Sequence, residues 1–206
     1  MPKNTKTLLF LKKFLDFEID SFNASFKREI KGIILDFDDF IAFEHGKILP
    51  ENFELIKKLS SKGIKFAILS NGNDLARFEN LRDFVSVVSG VKAKPSKESF
   101  EKAIVALGFS KRNVIMMGDN YLTDGGCISA GIDFVHIEPI YFSGLHFLKK
   151  IKKTPYRLIK RFFVLWAKLC NKIFFGNYLL FTILPCALFN IHRDQLSSLA
   201  SCKPLD

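Results

Sequence analysis

Gly32–Phe40 reads GIILDFDDF, and the fold is decided there. Gly32 to Leu35 are small or apolar, which suits a strand buried on both faces of a parallel sheet. Asp36 and Asp38 follow, two residues apart. Alternate residues of an extended chain point the same way, so both carboxylates can face one pocket just past the strand's end. Open α/β sheets bind their ligands at that edge. Taken alone, the stretch equally fits a strand running into an Asp-rich turn.

The flanking sequence extends the pattern in both directions. Residues 6–30 are loosely amphipathic and read as helix leading into the strand. Downstream, Glu51–Ser61 has Phe53, Leu55, Ile56 and Leu59 at helical spacing, with Gly63 just past its end. Ile64–Leu69 reads as a second strand, ending in Ser70-Asn71-Gly72. Asp74–Arg82 reads as helix and Phe84–Val88 as a short strand. Lys94-Pro95-Ser96 precedes a helix that runs to Leu107 and closes at Gly108. Asn113–Met117 is a strand ending in Gly118-Asp119, a helix follows, and Phe134–Ile137 is the last strand. Strands alternating with helices predict a Rossmann-like α/β fold, a parallel sheet with helices on both faces.

Each core strand ends in polar residues of a useful kind. The first ends in Asp36 and Asp38, the second in Ser70 and Asn71, and the fourth in Asp119, with Asp124 five residues on. Lys94 stands at a helix entry beside Pro95. Brought to one sheet edge, these carboxylates repel one another and call for a cation. All-oxygen ligation suits a hard metal such as Mg²⁺. A hydroxyl and a lysine there can hold phosphate oxygens, and a carboxylate aimed at phosphorus can act as a nucleophile.

In order along the chain these stretches are DFDDF, LSNG, AKP and GDNYLTD, and with them the chain resembles the haloacid dehalogenase (HAD) superfamily of phosphatases. The narrower likeness is to its class IIIA, YqeG-type group, which includes phosphatidylglycerophosphate phosphatases. The resemblance covers residues 25–138 and implies roles position by position. Asp36 would be the nucleophile that becomes an aspartyl-phosphate. Asp38 would protonate the leaving oxygen and then activate water. Ser70, Asn71 and Lys94 would hold the phosphoryl group. Mg²⁺ would be bound by Asp36, Asp119 and the backbone carbonyl of Asp38, and Asp124 would support the metal or orient Lys94. The chain departs from the group where Asp39-Phe40 replace its usual Asn-Thr.

The intervals Asp39–Leu69 and Asn71–Ala93 are used up by the helices and strands assigned to them, so the resemblance implies an open, capless site. The other candidates carry no chemistry of their own. The histidines at 45, 136, 146 and 192 have no ligand spacing. Gly125-Gly126 lacks a P-loop's Lys-Ser and reads as close packing. The four cysteines, at 127, 170, 186 and 202, are far apart and read as reduced thiols.

Composition divides the chain in two. Hydrophobic residues make up 48% and charged residues 25%, as in a globular protein with a core. Residues 139–206 carry 11 Lys/Arg against two Asp, so most of the +10 net charge sits in this tail. Thr154-Pro155 is a helix start, and beyond it Leu158, Phe162, Leu165 and Leu169 share one helical face, off which lie Lys160, Arg161, Lys168 and Lys172. Such a helix suits a membrane interface. Ile173–Ile191 has 19 residues without a charge, long enough to span or dip into a bilayer, though Gly176, Asn177, Pro185 and Asn190 interrupt it. Long aliphatics and Phe among the cations argue against a nucleic-acid partner.

The expected protein therefore has a capless phosphatase domain over 1–144 and a basic, hydrophobic, helical, membrane-associating tail over 145–206. Its expected activity is Mg²⁺-dependent phosphomonoester hydrolysis on a lipid phosphate such as phosphatidylglycerophosphate, at the cytoplasmic face of an anionic membrane. The alternatives are a soluble sugar or nucleotide phosphate as substrate, and a non-catalytic membrane adaptor. A homo-oligomer is compatible with either.

Overall fold

The computed structural model describes residues 7–43, 46–71, 75–89, 91–140, 158–159 and 161–169 of the 206. Its centre is a six-stranded sheet built from β1 (Thr7–Leu11), β2 (Gly32–Leu35), β3 (Lys65–Ile68), β4 (Val85–Val87), β5 (Val114–Gly118) and β6 (Asp133–Ile137). The strand order is β1-β6-β5-β2-β3-β4 and every pairing is parallel. Three α-helices accompany it: α1 (Ile19–Phe26), α2 (Pro50–Ser61) and α3 (Lys97–Leu107). The expected α/β architecture is the observed one.

Strand alternation splits the core into two layers. Ile33 and Leu35 of β2 point to the side packed with Phe22, Ile56 and Phe66, while Ile34 points to the side packed with Phe100, Leu107 and Phe134. All four residues of β2 are buried, which is why the strand reads as an unbroken apolar run. At the opposite end of the sheet from the aspartates, the Arg28 guanidinium pairs with Asp133 and donates to the carbonyl of Arg112, tying the entry of β2 to β6.

Two local expectations are corrected. Residues 6–30 are not one helix: Thr7–Leu11 is a strand that adds to the sheet edge beside β6, pairing Phe10 with His136 and Leu11 with Ile137. A short apolar run carries no periodicity that separates strand from helix, and the unpaired edge of β6 decides the matter. The second correction concerns the segments read as helices around Asp74–Arg82 and after Asp119. Among the described residues these are 3-10 helices, Leu75–Leu81 and Asp124–Ala130. Their buried residues recur every third position, Phe78 and Leu81 in the first and Asp124, Cys127 and Ala130 in the second. The three-residue turn puts such positions on one side.

Among the described residues no separate domain lies between β2 and β3 or between β3 and β4. The first interval holds a small flap, bridged Asp38 to Ala42 and Ala42 to Ile48, before α2. Asn52 of α2 holds this flap through a 3.1 Å bond from Nδ2 to the Ile41 carbonyl. The departure at Asp39-Phe40 has a structural meaning here. Asp39 has φ 58°, a left-handed conformation that Asp and Asn tolerate better than most residues. Phe40 is 1% exposed and meets Phe14 edge-on at 5.2 Å between ring centroids. Position 40 thus serves the core.

Residues 158–159 and 161–169 are helical and are called α4. This helix lies against the β1–β6 side of the sheet: Ala167 is buried, and Lys168 Nζ stands 5.1 Å from the centroid of the Phe10 ring. The helix start at Thr154-Pro155, the apolar stretch Ile173–Ile191 and the cysteines at 170, 186 and 202 lie outside the described residues. Among the described residues no helix is long and apolar enough to cross a membrane.

Replacing Phe40 with the Thr usual in the similar group is expected to leave a cavity beside Phe14. The cost is about 3 kcal/mol of unfolding free energy, the order seen for Phe truncations in cores. Urea denaturation of Phe40→Thr measures it; a loss below about 1 kcal/mol would show that Phe40 does not serve the core as described.

Candidate active site

Backbone register places the first two carboxylates. Leu35 of β2 lies opposite Met117 of β5, and the Asp36 N–H donates to the Met117 carbonyl at 3.0 Å. Asp36 is therefore level with Gly118, and Asp119 leaves the neighbouring strand one residue further on, both at the carboxyl edge of the sheet. Asp124 arrives from the loop after β5. Its backbone N–H donates to the Asn120 carbonyl at 2.8 Å, and its Oδ2 accepts from the Asn120 N–H at 3.1 Å. A side chain at position 118 would collide with the Asp124 carboxylate, so the glycine of GDNYLTD is what lets this loop fold back over the strand. Carboxylate oxygens of Asp36, Asp119 and Asp124 all lie within 4.8 Å of one another.

Lys94 reaches this cluster from the loop before α3. Its Nζ donates to Asp36 Oδ1 at 2.7 Å and to Asp124 Oδ1 at 2.6 Å, and the side chain is almost fully buried. Two features hold it there. The Lys94 N–H donates to Asn71 Oδ1 at 2.7 Å, and Asn71 Nδ2 donates back to the Lys94 carbonyl at 3.4 Å. In addition, a Cβ on Gly126 would strike Pro95, so Gly126 allows the Asp124 helix to press against the Lys94-Pro95 turn. The reading of Gly125-Gly126 as close packing fits position 126. Asn71, expected to hold phosphate, is here the anchor of the Lys94 backbone. Ser70 lies one residue before it, past the end of β3.

The charge balance of the cluster is the useful quantity. Burial alone would lower the Lys94 pKa, but the charges of Asp124 and Asp36 and their hydrogen bonds outweigh it and hold it above its ordinary value. Asp124 moves the other way for a paired acid. Burial first, and the charge of Asp36 second, push it up to about 6 against the opposing pull of Lys94. The single ammonium is shared between Asp36 and Asp124, with Asp119 close by, and one positive charge does not neutralise three carboxylates. The donor set therefore fits a divalent, oxygen-loving cation held by Asp36, Asp119 and Asp124.

The sequence predicts four carboxylates at one spot, and three are found together. Asp38 is gripped elsewhere, by the two terminal guanidinium nitrogens of Arg77, one donating to Oδ1 and the other to Oδ2. Arg77 is itself nearly buried and stacked 4.7 Å from the Phe37 ring centroid and 5.8 Å from that of Phe78. Sequence reading missed Arg77. It stands 39 residues from Asp38, and no spacing rule singles it out. The Cys127 thiol is buried behind the cluster, where burial pushes its pKa well above the ordinary value, as for an inert packed thiol.

The balance gives a pH-dependent expectation. Asp124 has a raised pKa in the metal-free fold, so its contribution to stability is full below the ordinary carboxylate range and is lost as pH rises through about 6. A bound divalent cation replaces the missing proton above that pH. Mg²⁺ is thus expected to raise the Tm more at pH 7.5 than at pH 5.0, and Asp124→Asn is expected to shrink that difference. Equal Mg²⁺ shifts at both pH values in the wild-type chain would contradict this account of the cluster.

Residues 6–128 match the model of the haloacid dehalogenase-like hydrolase family. The chain is 29% identical over 100 residues to the probable phosphatase YqeG of Bacillus subtilis (strain 168), an alignment spanning 48% of this chain and 58% of that relative. Among solved structures, it is similar to an uncharacterized protein from Listeria monocytogenes serotype 4b, with a TM-score of 0.44 and 19% identity over 57% of this chain and 85% of that one. It is also similar to an uncharacterized protein from Corynebacterium glutamicum, with a TM-score of 0.43 and 22% identity over 61% and 92% of the two chains. The family match covers more than half of the sequence, and all four motif stretches lie within it: the chain belongs to the haloacid dehalogenase-like hydrolases.

Proposed function

We propose that this protein is a phosphomonoesterase that works through Asp36 on a phosphate ester presented at an anionic membrane surface, a lipid phosphate such as phosphatidylglycerophosphate. The observation that carries the chemistry is Lys94 shared between Asp36 and Asp124 with Asp119 alongside, at the carboxyl ends of β2 and β5. A divalent cation, Mg²⁺ by the all-oxygen donor set, would be held by Asp36, Asp119, Asp124 and the Asp38 carbonyl, and would offset charge on the phosphoryl oxygens.

The steps belong to the chain's own residues. An Asp36 carboxylate oxygen bonds to phosphorus as the ester P–O bond breaks, and Asp38 gives a proton to the departing alcohol oxygen. Water then attacks the aspartyl-phosphate, its proton returns to Asp38, and the Asp36–phosphorus bond breaks to release inorganic phosphate. Lys94 and Ser70 hold the phosphoryl oxygens, Asn71 fixes Lys94, and Arg77 fixes the position of Asp38.

Support for the membrane surface comes from α4. Leu158, Ile159, Phe162, Leu165, Trp166 and Leu169 are all exposed, whereas only Leu15 and Val105 are large exposed hydrophobics elsewhere among the described residues. An apolar stripe on a helix rich in Lys and Arg matches an interfacial helix, with cations near an anionic surface adding about 1 kcal/mol each. A cytoplasmic location beside that membrane is part of the same proposal, as is the division into a catalytic domain over 1–144 and a tail over 145–206.

Two measurements test this reading. Asp36→Asn is expected to abolish turnover and the acid-stable, hydroxylamine-labile phosphoryl-protein trapped in a rapid acid quench, while the circular dichroism spectrum stays that of the folded chain. Retained turnover would sink the nucleophile assignment. Phe162→Gln with Trp166→Gln, both at exposed positions, is expected to release the full-length chain from anionic vesicles in co-sedimentation. If the wild-type chain also stays in the supernatant, the membrane part of the proposal is wrong.

A further inference from the structure

The helix that carries the exposed apolar stripe has a second face, and it meets the active site. Arg161, Leu165 and Lys168 fall at i, i+4 and i+7, which places them on one side of α4. With His136 and Asp119 they line a cavity of about 300 Å³. Asp119 belongs equally to the carboxylate cluster, so the cavity opens directly off the catalytic centre. It lies on the β6 side, because β6 neighbours β5 on the flank opposite β2. Glu138 stands exposed at its rim.

We infer that this cavity is the subsite for the leaving group, and that it selects phosphomonoesters whose alcohol carries a second anionic group. The inference deepens the phosphatase reading and rests on it. A phosphoryl group held by Lys94 beside Asp119 leaves its ester oxygen to point outward, and the cavity next to Asp119 is where the alcohol can go. A volume near 300 Å³ is at the small end of ligand sites and suits a compact polar group. Two cations two helical turns apart, Arg161 with a planar fork and Lys168 as a point charge, are the groups that recognise a phosphodiester or carboxylate. Helix α4 closes this side of the centre together with His136, Glu138 and Pro139, in the place where an inserted cap would stand. Its outer stripe and its inner cations then act together: the surface that would rest on a membrane also faces the head of the substrate.

Three soluble probes with the full-length chain test this: 3-hydroxypropyl phosphate, its analogue with a terminal carboxylate, and its analogue with a terminal methyl phosphodiester. Wild type is expected to favour the anionic probes in kcat/KM by roughly tenfold, the order two solvent-accessible charge contacts can supply. Arg161→Gln with Lys168→Gln is expected to remove that preference mainly through KM. Arg161→Lys with Lys168→Arg, which keeps both charges, is expected to retain most of it. Favour for only one anionic probe supports the subsite and identifies the group it takes. Asp36-dependent turnover with no preference for either anionic probe, or a preference that survives the double Gln variant, overturns the subsite and leaves the phosphatase reading standing. Absence of Asp36-dependent turnover on all three probes overturns the phosphatase reading itself.

Discussion

One buried ammonium set between carboxylates is the constraint on which the site depends. Lys94 bonds to Asp36 and Asp124 at 2.7 and 2.6 Å, with its own side chain almost fully buried. Breaking a buried pair by removing one partner costs about 3–5 kcal/mol, because a charge is left uncompensated. The surrounding structure is shaped to keep these groups in place. Gly118 makes room for the Asp124 carboxylate, Gly126 lets the following helix touch Pro95, and Asn71 fixes the Lys94 backbone. Even so, one ammonium among three carboxylates leaves negative charge over. That surplus is the physical reason the cluster suits a divalent cation and, with it, a phosphate ester.

The sheet supplies the precision. Parallel strands with fixed register deliver Asp36 and Asp119 side by side, and the two-layer core on either side of β2 leaves no freedom for slippage. Asp38 is handled differently. It sits at the start of the flap, outside the carboxylate cluster, and Arg77 clamps it from a 3-10 turn that also brings Phe78 to the core. The proposed nucleophile and the proposed acid–base group are thus two residues apart in sequence but held by different partners, a cationic lysine for one and a stacked arginine for the other.

Helix α4 joins the two parts of the chain that composition separates. Its Ala167 and Lys168 rest on the β1–β6 flank, most of its apolar stripe is exposed, and Arg161, Val164, Leu165 and Lys168 line the cavity beside Asp119. A basic amphipathic helix on its own suggests only a membrane surface. Placed at this edge of the sheet, it also becomes a wall of the site.

The sequence by itself determined the core strands, their parallel arrangement and the residues at their ends. Fully buried strands must be written as apolar runs, and GIIL and VIMM have few other uses when the first is followed directly by aspartate and the second by glycine-aspartate. Helix α3, from the Lys94-Pro95-Ser96 entry to Gly108, was equally legible, because caps and breakers act locally. Only the tertiary structure decided the rest. Thr7–Leu11 became a strand because β6 offered it an edge, and Phe40 became core because Phe14 lies across from it. Arg77 found Asp38 across 39 residues, and Arg161 and Lys168 came to line a cavity with Asp119. These contacts join residues far apart in the chain, and their partners are set by how the sheet and helices pack; no local pattern encodes them.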